Sequence, residues 1–378
     1  MRLFFGVCLC VAGLAAGADQ ASAQSVADPG AAETAQAAAP AVTPAWKPTL
    51  TLGGYLQGEL DAGASGDSRF PTGDRFFVRR ARLTASGEAA HNVAYRLQGE
   101  FGAGLGTASG ATASLTDGYV EWTIVRAAHV RFGQFKSPYG REWLVSSAQL
   151  VTIERALVSD RLTLNRQVGA AVIGDAAGGR LGYQAAMFNG NGRNTSVNDN
   201  RDFMYVVRGT AVPWQPTKAT SVEVGANAFW SRDTKLSMPK EFGLDSTPDT
   251  QGEDNLFTGR HRGAGLDAHL QHGIWDVDAE WLHVRFEPDA APAPDVTSEG
   301  WYATPSAFVY KRLVQLVGRY EWYRPDVHVA DNETSAWTAG LNYYARGNSA
   351  KLMVDYLWIK TPSASDRAKL LACVQVTF

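Results

Sequence analysis

The feature that most restricts what this chain can become is an alternation of apolar and polar residues that recurs along its length. Leu50, Leu52, Gly54, Leu56, Gly58 and Leu60 interleave with Thr51, Gly53, Tyr55, Gln57, Glu59 and Asp61. A period of two puts one set on each face of a β-strand. The pattern returns in Val93, Tyr95, Leu97, Gly99 and Phe101 against Arg96, Gln98 and Glu100, and in Val222, Val224, Ala226, Ala228 and Trp230 against Glu223, Gly225 and Asn227. Later copies are Val314, Leu316, Gly318, Tyr320 and Trp322 against Gln315, Arg319 and Glu321, then Leu352, Val354, Tyr356 and Trp358 against Lys351 and Asp355. The final copy, Leu370, Ala372, Val374, Val376 and Phe378, runs to the last residue.

Before this texture begins, the chain carries what an export leader needs. Met1 and Arg2 give a positive start, Leu3 to Ala16 is an apolar run, and Ala21-Ser22-Ala23 is a small-residue cleavage site. Residues 1–23 are therefore expected to be a signal peptide, the run being shorter than the roughly 20 residues of a spanning helix. Residues 24–45 are dominated by Ala with Gln, Thr and Pro, and are expected to form a flexible tether. They are too few for a separate plug domain. Residues 46–378 form one domain with no internal boundary.

Apolar residues elsewhere come singly, and the mean hydropathy is -0.19, which excludes a helical membrane protein. With 45% hydrophobic residues the chain still has ample material for a large folded body. Lys and Arg number 35 against 38 Asp and Glu, net -3, so nothing suggests a nucleic-acid partner. Of three cysteines, two fall in the leader, leaving Cys373 without a disulfide partner and best read as inert filler.

Short connectors alternate with long ones. Gly87 to Asn92, Arg126 to Ala128, Ala176 to Arg180, His272 to Ile274, Tyr310 to Arg312 and Ala345 to Ser349 are turn-sized. Gly102 to Ser114, Asn189 to Asn200, Ser231 to His261 and Glu287 to Glu299 are Gly-, Asn-, Ser-, Asp- or Pro-rich loops. That asymmetry suits an all-β transmembrane antiparallel β-barrel with a periplasmic and an outer rim. The segments amount to roughly sixteen strands, with fourteen or eighteen also compatible. In lipid only a closed barrel pairs every backbone group of a sheet, so the apolar face must meet the acyl chains. A barrel of this size has a lumen wide enough for water, and its polar face would line a channel for small solutes.

Arg80, Arg82, Arg96, Arg131, Arg208 and Arg319 have inward parity, as do Glu100, Asp117, Glu121, Glu223, Asp267, Glu321 and Asp355. Each is also explicable as a wall residue paired across the strand. After the strand His129 to Phe135 no long alternation resumes until Val168. The interval contains Lys136, Arg141, Arg155, Arg161 and Arg166 against Glu142, Glu154 and Asp160, the charge expected of a third loop folded inward as an anion-binding constriction. His269 and His272 fall at a strand end and its turn with no third metal ligand nearby in sequence, and are read as a turn pair. No cofactor is implied.

Phe77-Val78-Arg79-Arg80-Ala81-Arg82-Leu83, Gly133-Gln134-Phe135-Lys136 with Pro138, and Ile153-Glu154-Arg155 resemble the phosphate-selective porin O and P family, as do Gly340-Leu341-Asn342-Tyr343-Tyr344 and Asp355-Tyr356. The resemblance runs from about Thr49 to Phe378. It implies a sixteen-stranded barrel, a homotrimer in outer-membrane lipid, and a pore narrowed by an inward basic loop that attracts small anions such as phosphate. Arg155 and Lys136 would be foremost at the constriction, with Arg80 and Arg82 in the wall. The competing classes are an outer-membrane barrel enzyme, which needs a nucleophile and base held together, and a non-conducting structural or adhesive barrel.

Overall fold

The computed structural model describes residues 46–64, 67, 69–70, 73–103, 113–125, 127–195, 197–237, 256–289, 294–362 and 364–378. The expected leader and tether, 1–23 and 24–45, lie outside the described residues. Among those described, the chain forms β1 (Thr51–Gly63), β2 (Arg75–Ala90), β3 (Val93–Glu100), β4 (Ser114–Val125) and β5 (Ala128–Lys136). Two short helices follow, α1 (Arg141–Leu144) and α2 (Leu157–Leu162). Then come β6 (Arg166–Ala176), β7 (Leu181–Phe188), β8 (Met204–Thr217), β9 (Thr220–Ser237), β10 (Leu256–His272) and β11 (Trp275–Pro288). The remaining strands are β12 (Val296–Tyr310), β13 (Val314–Arg324), β14 (Thr334–Asn348), β15 (Ala350–Thr361) and β16 (Ala364–Thr377).

Each strand pairs with its sequence neighbours, and β1 pairs antiparallel with β16 from Tyr55↔Thr377 to Gly63↔Lys369, closing a sixteen-stranded barrel. Closure leaves no strand edge, as hydrocarbon requires. The alternation is realised as expected. Leu52, Phe76 and Trp337 stand outward at 73%, 84% and 62% exposure, whereas Gln57, Gln98, Gln315, Arg319 and Asp355 are turned inward and buried.

Strand bounds differ from the sequence expectation. Ser231 to His261 is not all loop, because β9 continues to Ser237 and β10 starts at Leu256. Likewise β2 continues to Ala90 and β14 to Asn348, so their turns are tighter than expected. The backbone ladder extends past the apolar band, and there outward positions carry charge, as at Arg260 and Arg262. Alternation of hydrophobicity stops where lipid stops; hydrogen bonding does not.

The inner face is not uniformly polar, contrary to the expectation. Phe188, Met204, Val206, Phe229, Leu282, Val284 and Phe286 point inward and pack with Leu157, Val158 and Leu162 of α2. A second inner cluster joins Met353, Leu357 and Leu371 to Ile153 and to Phe70 of the β1–β2 connection. Where α2 and Ile153 dock, the wall offers apolar patches, so stretches of those strands are apolar on both sides.

Candidate functional site

The chain between β5 and β6 is the third long connection, and it folds into the lumen as expected. It leaves β5 through Gly140, whose φ of 91° is left-handed and whose Cβ would meet Thr163 Cγ2 at 2.7 Å. Its backbone cannot form a regular ladder there, so inward side chains of the wall satisfy it. Tyr139 Oη donates to the carbonyls of Ala264 and His283, each at 3.0 Å. Lys351 Nζ donates to Leu150 O at 2.9 Å and Asn342 Nδ2 to Val151 O at 2.7 Å. Asp355 accepts from Ile153 N at 2.7 Å, and Glu321 from Leu157 N at 2.6 Å. The loop therefore covers the wall from β10 round to β16 and β1, reaches Arg79 and Arg80 of β2, and leaves open the sector from Arg82 of β2 to β6.

One carboxylate dominates its attachment. Glu154 accepts from Arg79 Nε at 2.5 Å and Nη2 at 3.0 Å, and from Arg80 Nη2 at 2.9 Å. Burial alone would raise its pKa, but the two guanidiniums outweigh burial and hold the carboxyl at about 2. Two consecutive arginines can both turn inward because β2 is bulged: Gln57 pairs with Arg80 and Gly58 with Val78, leaving Arg79 as the extra residue. Arg319 adds Nη2 to Glu142 Oε1 at 2.5 Å and Nη1 to Glu154 O at 3.0 Å. Arg69 Nη1 donates to Arg155 O at 2.7 Å.

The eleven basic residues singled out from the sequence thus separate into groups, and the five assigned to one constriction do not form one ring. Arg80 and Arg319 are in the wall but lie beneath the loop as clamps. Arg208 bridges to Asp267 at 2.6 Å. Lys136 and Arg166 are not loop residues: they end β5 and begin β6, facing each other in register, because the ladder continues past the apolar band. Arg141 is held by Asp278 at 2.8 Å and Glu223 at 2.6 Å on the far side of the lumen. Arg161 sits beside Asp160 and borders a separate cavity with Asn191, Asp233 and Lys235.

What the structure brings together is Arg82, Arg96, Arg131, Lys136 and Arg166, around a recess of about 320 Å³ that Tyr119, Phe135, Leu144 and Ser146 also border. Three carboxylates answer these five cations: Glu100 on Arg82 at 2.6 Å, Glu121 on Arg131 at 2.5 Å, and Asp117 on Arg166 at 2.7 Å and Arg96 at 3.5 Å. Lys136 Nζ points to the carbonyls of Trp143, Leu144 and Val145. Trp143 collects three cations round its ring, Arg155 at 5.0 Å, Lys136 at 5.5 Å and Arg166 at 5.9 Å. Arg155 bonds Glu142 O, Ser147 Oγ and Val145 O, none of them a carboxylate. Its burial, with Arg80 and Arg82 nearby, pushes its guanidinium down to about 10, so it remains charged at neutral pH.

Sequence reasoning missed Arg69, Arg79, Trp143 and the anchoring roles of Glu142 and Glu154. A signal for Arg79 was present. Adjacent arginines in a period-two strand would leave one facing lipid at a cost of about 2–4 kcal/mol near the midplane, so a bulge is the cheaper arrangement.

Family comparison agrees with this architecture, for the family described as phosphate-selective porin O and P matches residues 55–372. The chain belongs to that family. It is an outer-membrane porin by family and by barrel. No curated protein matches it. Among solved structures it is similar to OmpT of Vibrio cholerae in its trimer form, at TM-score 0.61 and 11% identity over 88% of this chain and 99% of that one. The anion-selective porin of Comamonas acidovorans gives TM-score 0.59 and 12% identity over 88% and 100% of the two chains. OmpF of Salmonella typhi in complex with daunomycin gives 0.57 and 11% over 87% and 97%. At these identities the likeness concerns the fold.

Proposed function

We propose that this porin passes small solutes by diffusion with a preference for anions, phosphate and similar oxyanions among them, through the open sector beside β2–β6. The observation that carries the reading is the recess of Arg82, Arg96, Arg131, Lys136 and Arg166, where five cations face three carboxylates. Guanidinium groups present planar forks of donors that match oxyanions. Arg155, charged and buried behind Trp143, adds to the positive potential from the loop side. The opposite wall has the reverse bias, with Glu223, Asp276 and Asp278 around Arg141. The preference is accordingly graded, not exclusive.

The channel needs no catalytic step and no cofactor. Its assembly as a homotrimer follows the relative whose structure is described as a trimer, and its delivery follows a leader at residues 1–23 cleaved on export. Planar-bilayer recording tests the reading. Reversal potentials in a KCl gradient should favour chloride, and added phosphate should lower the chloride current by occupying the recess. Lys136→Ala and Arg155→Ala should each shift the reversal potential toward cations. Closed traces from well-folded protein would remove the channel reading and return the barrel enzyme and the non-conducting barrel to contention. Cation preference in the unaltered porin would remove the anion reading alone.

A further inference from the structure

The turn end of β10 and β11 holds a cluster that the anion reading does not use. Register places Glu223, His269 and Asp278 in one inward row across β9, β10 and β11, and puts Asp276 two residues from Asp278 on the same face. His269 lies between two carboxylates. Its Nδ1 is 3.0 Å from Asp278 Oδ1 and its Nε2 is 3.6 Å from Asp276 Oδ2. One ligand atom from each of His269, Asp276 and Asp278 falls within 4.8 Å of the others.

From this geometry we propose a binding site for a divalent transition-metal ion, of the zinc class, in the lumen wall near the turn between β10 and β11. The 3.6 Å spacing of His269 Nε2 and Asp276 Oδ2 is that of two donors on one ion with bonds of about 2.0–2.2 Å. The 3.0 Å contact on the other side of the ring is that of an imidazole N–H given to a carboxylate. Such a contact fixes the tautomer and orientation of a metal-bound histidine. Asp276 therefore ligates beside His269, Asp278 orients the ring, and lumen water completes the shell. Imidazole with carboxylate suits zinc, copper or nickel better than magnesium or calcium, which take all-oxygen shells.

Charge is compatible with a cation. Around His269 stand Glu223 on β9, Asp276 and Asp278 on β11, and Arg141 of α1, which bonds both Glu223 and Asp278. Three carboxylates against one guanidinium leave negative charge for the ion to neutralise. Arg141 Nε and His269 Nδ1 share Asp278 Oδ1, and a carboxylate oxygen has two lone pairs, so Arg141 keeps its bond while Asp278 orients the ring. The donors stand on paired strands, so binding needs only side-chain rotation. His272, the other half of the histidine pair evident in the sequence, belongs elsewhere: its Nδ1 lies 3.2 Å from Thr220 Oγ1.

The test uses the purified full-length porin in detergent, with zinc as the probe and magnesium as the control. Competition with a chromophoric chelator should give one zinc per chain. His269→Ala and Asp276→Asn should abolish it, whereas Asp278→Asn should weaken it by about 10–100-fold as an orienting residue. Copper bound to the unaltered protein should show hyperfine coupling to one ring nitrogen in its electron paramagnetic resonance spectrum. No zinc bound by the unaltered porin, zinc bound equally well by His269→Ala and Asp276→Asn, or a copper spectrum without nitrogen coupling would each overturn the assignment. These measurements do not depend on the porin conducting.

Discussion

Two sectors of the inner wall use the same residue types for opposite ends. Under the third loop, Arg79, Arg80 and Arg319 are committed to Glu154 and Glu142, and Arg80 and Arg319 are shut off from solvent. In the open sector, Arg96 and Arg131 pair with Asp117 and Glu121 yet stay in reach of the lumen, with 36% and 24% of their side chains exposed. An arginine at inward parity is thus a loop anchor or a solute-facing charge depending on what covers it. Burial sets the energetic scale: a buried charge stripped of its partner is left uncompensated, whereas an exposed one is screened by water.

The largest effect separating the sectors is expected from Glu154→Gln. It leaves Arg79 and Arg80 without their carboxylate and should weaken loop docking by about 3–5 kcal/mol. Single-channel traces should become noisier and larger while the barrel keeps its heat stability, and unchanged traces would refute the anchoring role. Acid should act on the same contact. Because the folded carboxyl sits at about 2 against an ordinary 4.5, its stabilising contribution is whole above pH 4.5 and is lost as pH falls toward 2. Loop noise should therefore rise across that window and not above it.

Arg79→Ala is expected to be milder, about 1.5–3 kcal/mol, because Arg80 keeps its bond to Glu154. Noise equal to that of Glu154→Gln would mean that the bulged arginine alone holds the loop. The smallest structural effect belongs to the open sector. Arg96→Ala with Arg131→Ala should alter chloride-to-potassium permeability by roughly fivefold, about 1 kcal/mol, with conductance noise and thermal stability unmoved. A loss of stability there would erase the contrast between the sectors.

Much of the fold was legible from residue order. Outward Leu52 and inward Gln57 follow from a period of two, and counting apolar stripes between turns gives roughly sixteen strands, with the closed structure deciding sixteen against fourteen or eighteen. Less of the lumen was legible. The first residues of β8 are apolar on both faces because Met204 and Val206 meet the core that α2 enters, so the alternation there is masked until Arg208. Lys136 and Arg166 belong to strands although their surroundings in sequence resemble loop.

The sequence by itself determined a closed cylinder with an oily exterior, since lipid imposes its demand on every second residue and local order records it. Which charges face the solute was decided only by tertiary structure. That choice depends on Glu154 meeting Arg79 and Arg80 some 75 residues away, on a bulge that turns both arginines inward, and on a loop that hides one side of the wall. Electrostatic roles are set by proximity and desolvation, and neither is written in the spacing of residues along a strand.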